Sequence, residues 1–206
     1  MSITIILIII TVITSIIAWS NPERLSKWVM NPYIVSRKKE YYRFISSGFV
    51  HNDYVHLLFN MITLYFFGDA IEQVFGYFFG MTGLIYFLGL YFMGMVVADI
   101  PSFIKYRNYA GYNSLGASGA VSAVVFSSIL FRPTAKIYVY YAIGIPGFIF
   151  GILYLLYSYY QGKRMADNVN HDAHLYGALF GLVFSIAVYP SVLGSFIRQI
   201  LDYKLF

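Results

Sequence analysis

Six apolar runs set off by polar loops dominate this chain, at roughly 3–19, 52–75, 78–98, 118–131, 137–160 and 172–189. A helix of about 20 apolar residues covers the ~30 Å of hydrocarbon in a bilayer. Inside hydrocarbon every backbone polar group must find its partner within the segment, and a helix does this where a loop cannot. Runs of this length therefore leave little choice but a bundle of membrane helices. Of 206 residues, 59% are hydrophobic, 20% aromatic and only 11% charged, which lies outside the range of soluble domains. The chain has no cysteine, so disulfides and thiolate metal sites are excluded. The formal charge of +5 sits mainly in loops and forms no basic stripe of the kind nucleic acid requires. Bilayer headgroups are the better anionic partner. The sequence predicts an all-α, polytopic membrane protein: a six-transmembrane-helix bundle with a short central fourth helix, forming one membrane domain over 1–206.

The first run, Ile3 to Trp19, neither opens on Lys or Arg nor closes on a small-residue cleavage site. It is expected to stay as a helix rather than act as a signal peptide. The first loop, about 20–51, mixes charge (Glu23, Arg24, Lys27, Arg37, Lys38, Lys39, Glu40, Arg43) with rings (Trp28, Tyr33, Tyr41, Tyr42, Phe44). That mixture suits the membrane interface. The fourth run, Ser118 to Phe131, covers only ~21 Å at 1.5 Å per residue. Ending at Arg132-Pro133 near one surface, it leaves Ser118 about 10 Å beneath the other. Water must then reach that serine through a protein cavity. Polar loops are expected at Pro101–Ser114 and Gln161–His171. Neither tandem nor inverted repeats of the transporter kind are present.

Polar side chains in hydrocarbon are costly and call for a reason. Gly116-Ala117-Ser118-Gly119 stands where a polar loop enters the fourth run. A serine becomes a useful nucleophile only beside a base and with its oxyanion stabilised. At a helix start Ser118 presents its own N–H to a bound carbonyl, aided by the helix dipole. The plainer reading is that the small residues let two membrane helices pack closely. His174 opens the sixth run, followed by Gly177 and Gly181 on the same helical side. Such a Gly-x-x-x-Gly face permits very close helix approach. If its partner is the fourth helix, packing around Gly119, His174 reaches Ser118; otherwise His174 is a loop-facing or snorkelling histidine. His171 competes as base but lies on the loop side without that glycine face. His56 and Asn60, four apart, share a face and both carry hydrogen-bond donors for an oxyanion. They also suit a structural polar network. His51 points elsewhere and reads as a loop anchor.

No orienting acid emerges. Asp172 faces away from His174 on a helix, and Glu72 lies roughly 24 Å along its helix from His56. A dyad fits better than a triad. Without His-Glu-x-x-His a zinc protease lacks its ligands and base. The histidine spacings 51/56 and 171/174 give no metal pattern, and Asp69 and Asp99 are too far apart to form an aspartyl pair. The polar residues gather near one face, which argues against a channel or transporter.

Gly116-Ala117-Ser118-Gly119, His174 with Gly177 and Gly181, and His56-x-x-x-Asn60, in this order on six runs, resemble the rhomboid family of intramembrane serine proteases over nearly the whole chain. Tyr42-Arg43 stands where the family often has Trp-Arg, and Gly68-x-x-x-Glu72-x-x-x-Gly76 resembles a structural pattern at the end of the second helix. The resemblance implies Ser118 as nucleophile and His174 as base and then acid. It also implies an oxyanion hole of His56, Asn60 and the Ser118 N–H, with Arg43 and Glu72 in structural roles. It implies cleavage in or near the transmembrane segment of other membrane proteins, without a cofactor or a metal. Ser122 stands where many relatives carry an aromatic ring that stacks on the histidine, so another ring has to serve. The alternative is a non-catalytic relative that binds or escorts membrane proteins; such relatives typically lose the serine or the histidine, and both remain here.

The resemblance implies a multi-pass protein of the cell membrane with its N-terminus inside and its active site opening outward. Lys and Arg counts oppose this, with ten on the active-site side (24, 27, 37, 38, 39, 43, 105, 107, 163, 164) against four (132, 136, 198, 204) on the other. Six of the ten belong to the interfacial first loop, where long cationic side chains snorkel, and the family orientation is retained.

Overall fold

The structure is a computed structural model that describes residues 2–139, 142–164 and 169–204. Helices dominate it: α1 (Ile3–Trp19), α2 (Pro22–Trp28), α3 (Pro32–Lys38), α4 (Arg43–Ser46), α5 (Tyr54–Phe79), α6 (Thr82–Tyr106), α7 (Ser118–Phe131), α8 (Gly147–Arg164), α9 (His171–Val188) and α10 (Val192–Leu201). By length and composition α5, α6 and α9 are able to cross a membrane, while α1, α7 and α10 are shorter apolar helices.

The bundle is built around α7. Every residue from Gly119 to Leu130 is buried, enclosed by α5, α6 and α9, with α8 and α10 against it. A helix apolar all round belongs in such a centre. Small residues set its spacing to the neighbours. On α6, Gly94 lies against Ala120 and Ala123, and Ala98 against Gly119. On α9, a methyl at Gly177 would collide with the Gly119 carbonyl, and one at Gly181 with the Ala123 carbonyl. One turn further, Ser127 and Ser185 share a hydrogen bond of 2.7 Å. The pairs 119/177, 123/181 and 127/185 advance together by four, so α7 and α9 run parallel and in register. Their N-termini, and hence Ser118 and His174, lie at the same end.

Two expectations need correction. The predicted fifth run begins as an antiparallel hairpin, β1 (Lys136–Val139) paired with β2 (Ile143–Pro146) in the register Lys136↔Pro146; residues 140–141 of that run lie outside the described residues. Only Gly147 onward is helical. The third run continues past Pro101, which lies inside α6, as membrane bundles tolerate. The first loop holds the short helices α2, α3 and α4, two of them with Pro in the first turn and an Asn side chain as cap. Residues 165–168 of the predicted Gln161–His171 loop also lie outside the described residues.

The first loop is pinned to the approach to α7. Met30 and Ser114 exchange backbone hydrogen bonds of 2.9 Å. Asn31 donates to the Ala110 carbonyl and to Asn113. The buried Arg43 guanidinium pairs with Glu40 and donates to the carbonyls of Ser26 and Val29, so its charge is fully engaged. Glu40, at the loop surface, is held below the usual carboxylate range, chiefly by that hydrogen bond from Arg43. At the far end of α5, Glu72 accepts from the Ile3 and Thr4 N–H groups and from the hydroxyls of Ser2 and Thr4. These are the orphan donors of the α1 N-terminus, and a carboxylate there also meets the positive end of the helix dipole.

Candidate active site

Ser118 is the first residue of α7, and its N-terminus has no side-chain cap of its own. His51 supplies one from outside. The Ala117 N–H donates to His51 Nε2 at 3.3 Å, so Nε2 is unprotonated and Nδ1 carries the hydrogen. Nδ1 lies 3.1 Å from Ser15 Oγ, whose hydroxyl donates to the Phe49 carbonyl at 3.2 Å. His51 is fully buried, and burial first, then neighbouring His56, pushes its pKa down to about 3. A chain of contacts thus runs from α1 through His51 to the residue before Ser118. The expectation that His51 points away from His56 and serves as a loop anchor is corrected: its ring meets that of His56, and its partners Ser15 and Ala117 are distant in the chain.

Gly116 has φ +116°, a conformation that L side chains rarely adopt. A Cβ there would also stand 2.6 Å from His56 Cε1. The glycine therefore both permits the turn into α7 and leaves room for the imidazole. The His51 and His56 rings meet edge to face at 5.0 Å. His56 Nδ1 is buried without a hydrogen-bond partner among the described residues. Asn60, buried one turn on, donates to the His56 carbonyl at 2.9 Å. Asp53 caps α5 by accepting from the His56 N–H at 2.8 Å.

On α9, Asn170 caps the helix by accepting from the Ala173 N–H at 3.1 Å and is bonded to Ser102 of α6; Tyr112 donates to that serine. His174 lies one turn into α9. Gly119 has Ala173 as neighbour, so the start of α9 lies directly beside the start of α7. The His171 ring meets that of His174 edge to face at 5.9 Å. Asp172 turns to Lys105, 3.8 Å away.

Ser122 Oγ lies 2.7 Å from the Tyr154 hydroxyl on α8. The Tyr154 ring in turn stacks on His174, with centroids 6.3 Å apart and planes 28° from parallel. A third helix thus contributes to the surroundings of His174. Ser122, which the sequence marks as the place of a missing ring, is the residue that the Tyr154 hydroxyl reaches.

A cavity of about 20 Å³ adjoins Ser118, with Gly116, Asp99, Ser114 and Asn170 among its lining. A water needs roughly 10–15 Å³ and two or more polar partners, so this polar pocket has room for one. A serine at a helix start, with His56 against Gly116 and Ala173 (next to His174) against Gly119 and a water-sized polar pocket at the serine, offers the groups that acyl transfer followed by hydrolysis uses. Arg43 and Glu72 lie away from it, at the first loop and the opposite end of α5.

A family model described as "Rhomboid domain" matches residues 38–191. The chain is 29% identical over 171 residues to "RHOMBOID-like protein 12, mitochondrial" of Arabidopsis thaliana, covering 74% of this chain and 49% of that protein. It is 30% identical over 175 residues to "Rhomboid-like protein 11, chloroplastic" of the same plant, covering 77% and 57%. It is 28% identical over 155 residues to "Presenilin-associated rhomboid-like protein A, mitochondrial" of Danio rerio, covering 67% and 35%. The match thus extends over about half the length of the first two relatives.

Proposed function

Because this chain belongs to the rhomboid family, we propose that it is a serine endopeptidase of the membrane interior that works through a Ser118/His174 dyad. It is an integral membrane protein, and its substrates are transmembrane segments of other proteins. The observation that carries the reading is the in-register contact of α7 and α9 at Gly119/Gly177 and Ala123/Gly181. It sets the helix starts bearing Ser118 and His174 side by side.

Ser118 Oγ attacks the scissile carbonyl carbon as His174 takes the hydroxyl proton. The oxyanion formed is held by the Ser118 N–H, whose helix-start position leaves it without an intrahelical acceptor, together with His56 and Asn60. Collapse breaks the C–N bond, and His174 returns the proton to the leaving amine. Water from the polar pocket then attacks the acyl-serine with His174 again as base, releasing the carboxylate product and restoring Ser118. No cofactor takes part.

The test uses purified protein in lipid vesicles with a panel of single-pass substrates. Wild type is expected to cleave at least one substrate. Ser118→Ala and His174→Ala are each expected to lose cleavage while melting at the wild-type temperature. Substantial cleavage by either variant sinks the dyad. Binding of substrates without cleavage by wild type would favour a client-escorting role.

For orientation we infer the cell membrane, with the active site opening to the outer side and the C-terminus inside. A reporter fused after Phe206 should read as internal. An external signal, or recovery of the protein in an organellar membrane fraction, overturns that placement.

A further inference from the structure

We propose that Tyr154 is the positioning residue of the base: its ring, anchored by Ser122, holds the His174 imidazole in the orientation that meets Ser118. The inference rests on the reading of His174 as base given above. Ser118 and Ser122 are one turn apart on α7 and so share a face. His174 approaches that face from α9 and Tyr154 from α8, so the four residues bring three helices together at one point.

The tyrosine is fixed from several sides. Its hydroxyl lies 2.7 Å from Ser122 Oγ, and that serine is itself buried. Phe126 of α7 and Phe150 of α8 flank its ring at centroid distances of 5.4 and 5.8 Å. A ring pinned at its hydroxyl and wedged between two others offers a fixed face. The near-parallel, offset arrangement on His174 lies within the favourable range for aromatic pairs. The rest of α8 does little to explain this arrangement. The buried residues of the helix are Gly147, Gly151 and Ser158, while Ile152, Leu153, Leu156 and Tyr157 are exposed to what would be lipid. Tyr154 is half-buried, and a hydroxyl turned inward from such surroundings is costly unless paired; the buried Ser122 supplies the partner.

The consequence for catalysis concerns geometry. A general base acts only within hydrogen-bond reach of the proton it takes, and His174 turns about two side-chain bonds. A ring against its face removes the rotamers that swing the imidazole away from Ser118. A ring that acts only on the orientation of the base changes the chemical step and not the binding of substrate. Loss of the ring should therefore lower kcat and leave KM in place. If Tyr154 served only to dock α8 on α7, the hydroxyl would matter more than the ring.

The experiment compares Tyr154→Phe, Tyr154→Leu and Ser122→Ala with wild type and Ser118→Ala in lipid nanodiscs. Melting, kcat and KM are measured on a cleaved substrate. In parallel, NMR of protein labelled with ring-13C histidine follows the His174 resonance, assigned through His174→Asn. Tyr154→Leu is expected to lower kcat by about 10- to 100-fold at unchanged KM and to remove the ring-current shift from the His174 signal. Tyr154→Phe and Ser122→Ala keep the ring but release its hydroxyl, and should lower kcat by less than Tyr154→Leu while retaining the ring-current shift. The proposal is overturned if Tyr154→Leu retains wild-type kcat, if Phe and Leu lose activity equally, or if the loss only tracks melting. Absence of Ser118-dependent cleavage in wild type would count against the protease reading alone. The His174 resonance would then decide, by its shift or constancy in Tyr154→Leu, whether Tyr154 holds the imidazole.

Discussion

For His56 and Asn60 the structural reading and the proposed oxyanion role make opposite demands, since a structural pair would use up its donors and an oxyanion hole must keep some in reserve. Asn60 gives one amide hydrogen to the His56 carbonyl, which leaves its second for another acceptor. His56 Nδ1 has no partner among the described residues. Removing one oxyanion donor costs about 10²–10³ in turnover, whereas a hydrogen bond inside a membrane bundle contributes about 0.6 kcal/mol on average. The double variant His56→Ala/Asn60→Ala should accordingly lose turnover by at least about 10²-fold with little change in melting. Near-normal cleavage, or a loss that only follows unfolding, defeats the oxyanion role. His51 carries a different prediction. Folded, it stays neutral because its pKa lies at about 3; unfolded, it titrates near 6.5. Below about pH 6.5 the unfolded chain binds a proton that the folded one refuses, so this contribution to stability is complete above 6.5 and is lost as pH falls towards 3. Protonated His51 would also present a donor to the Ala117 N–H in place of an acceptor. Thermal melts should fall between pH 6.5 and 4, and His51→Gln should melt lower at pH 7.5 but decline less steeply. Parallel curves would show that His51 is not the group responsible.

At the scale of helices, the in-register seam of α7 and α9 makes Gly181 a sensitive position. A leucine there meets the Ala123 carbonyl, and overpacking of this kind costs about 1–3 kcal/mol or more. Gly181→Leu should lower both melting temperature and turnover. Gly76, whose Cβ position is open, serves as the control: Gly76→Ala should melt at or slightly above wild type, by about 0.4–1 kcal/mol. Wild-type behaviour of Gly181→Leu would dissociate the seam from activity. The spacing of Gly177 and Gly181 is visible in the sequence because helical period alone puts them on one side. Which surface they meet, and that Ala123, Ser127 and Ser185 extend the seam, depends on the crossing of two distant helices. The bounds of α7 are equally legible, since the turn at Gly116 and Pro133 punctuate an unbroken apolar run. The hairpin at 136–146 is not, because Lys-Ile-Tyr-Val and Ile-Gly-Ile-Pro are as apolar as a membrane helix and only cross-strand pairing separates the two. Pro101 misleads for the opposite reason: a proline usually ends a soluble helix, but neighbours in a bundle compensate for its missing hydrogen bond. The partnership of Ser122 with Tyr154 leaves no local mark at all, as the two lie 32 residues apart.

Taken as one molecule, the chain fastens α1 to the bundle at both ends. Glu72 holds its N-terminus, while Ser15 and Trp19 hold its other end through His51 and its carbonyl. Between these points Ile9, Ile10, Ile13, Ile16 and Ile17 face outward. Glu72→Ala strands several donors at once, and hydrogen bonds to a charged group contribute roughly 1.5–3 kcal/mol each at most. A loss of stability of at least about 2 kcal/mol is expected, read as a lower melting temperature, with turnover retained well below the new midpoint. Unchanged melting would show that α1 is held by apolar packing alone. The two attachments differ in what they touch, because only the Ser15–His51 end continues to Ala117 and the start of α7. A genetic selection for loss of proteolysis should therefore recover alleles at Ser15, on a helix that supplies no reacting atom. Alleles at the Glu72 end should surface only as temperature-sensitive ones, and second-site suppressors of Ser15 lesions should cluster around residues 47–51 rather than on the rest of α1.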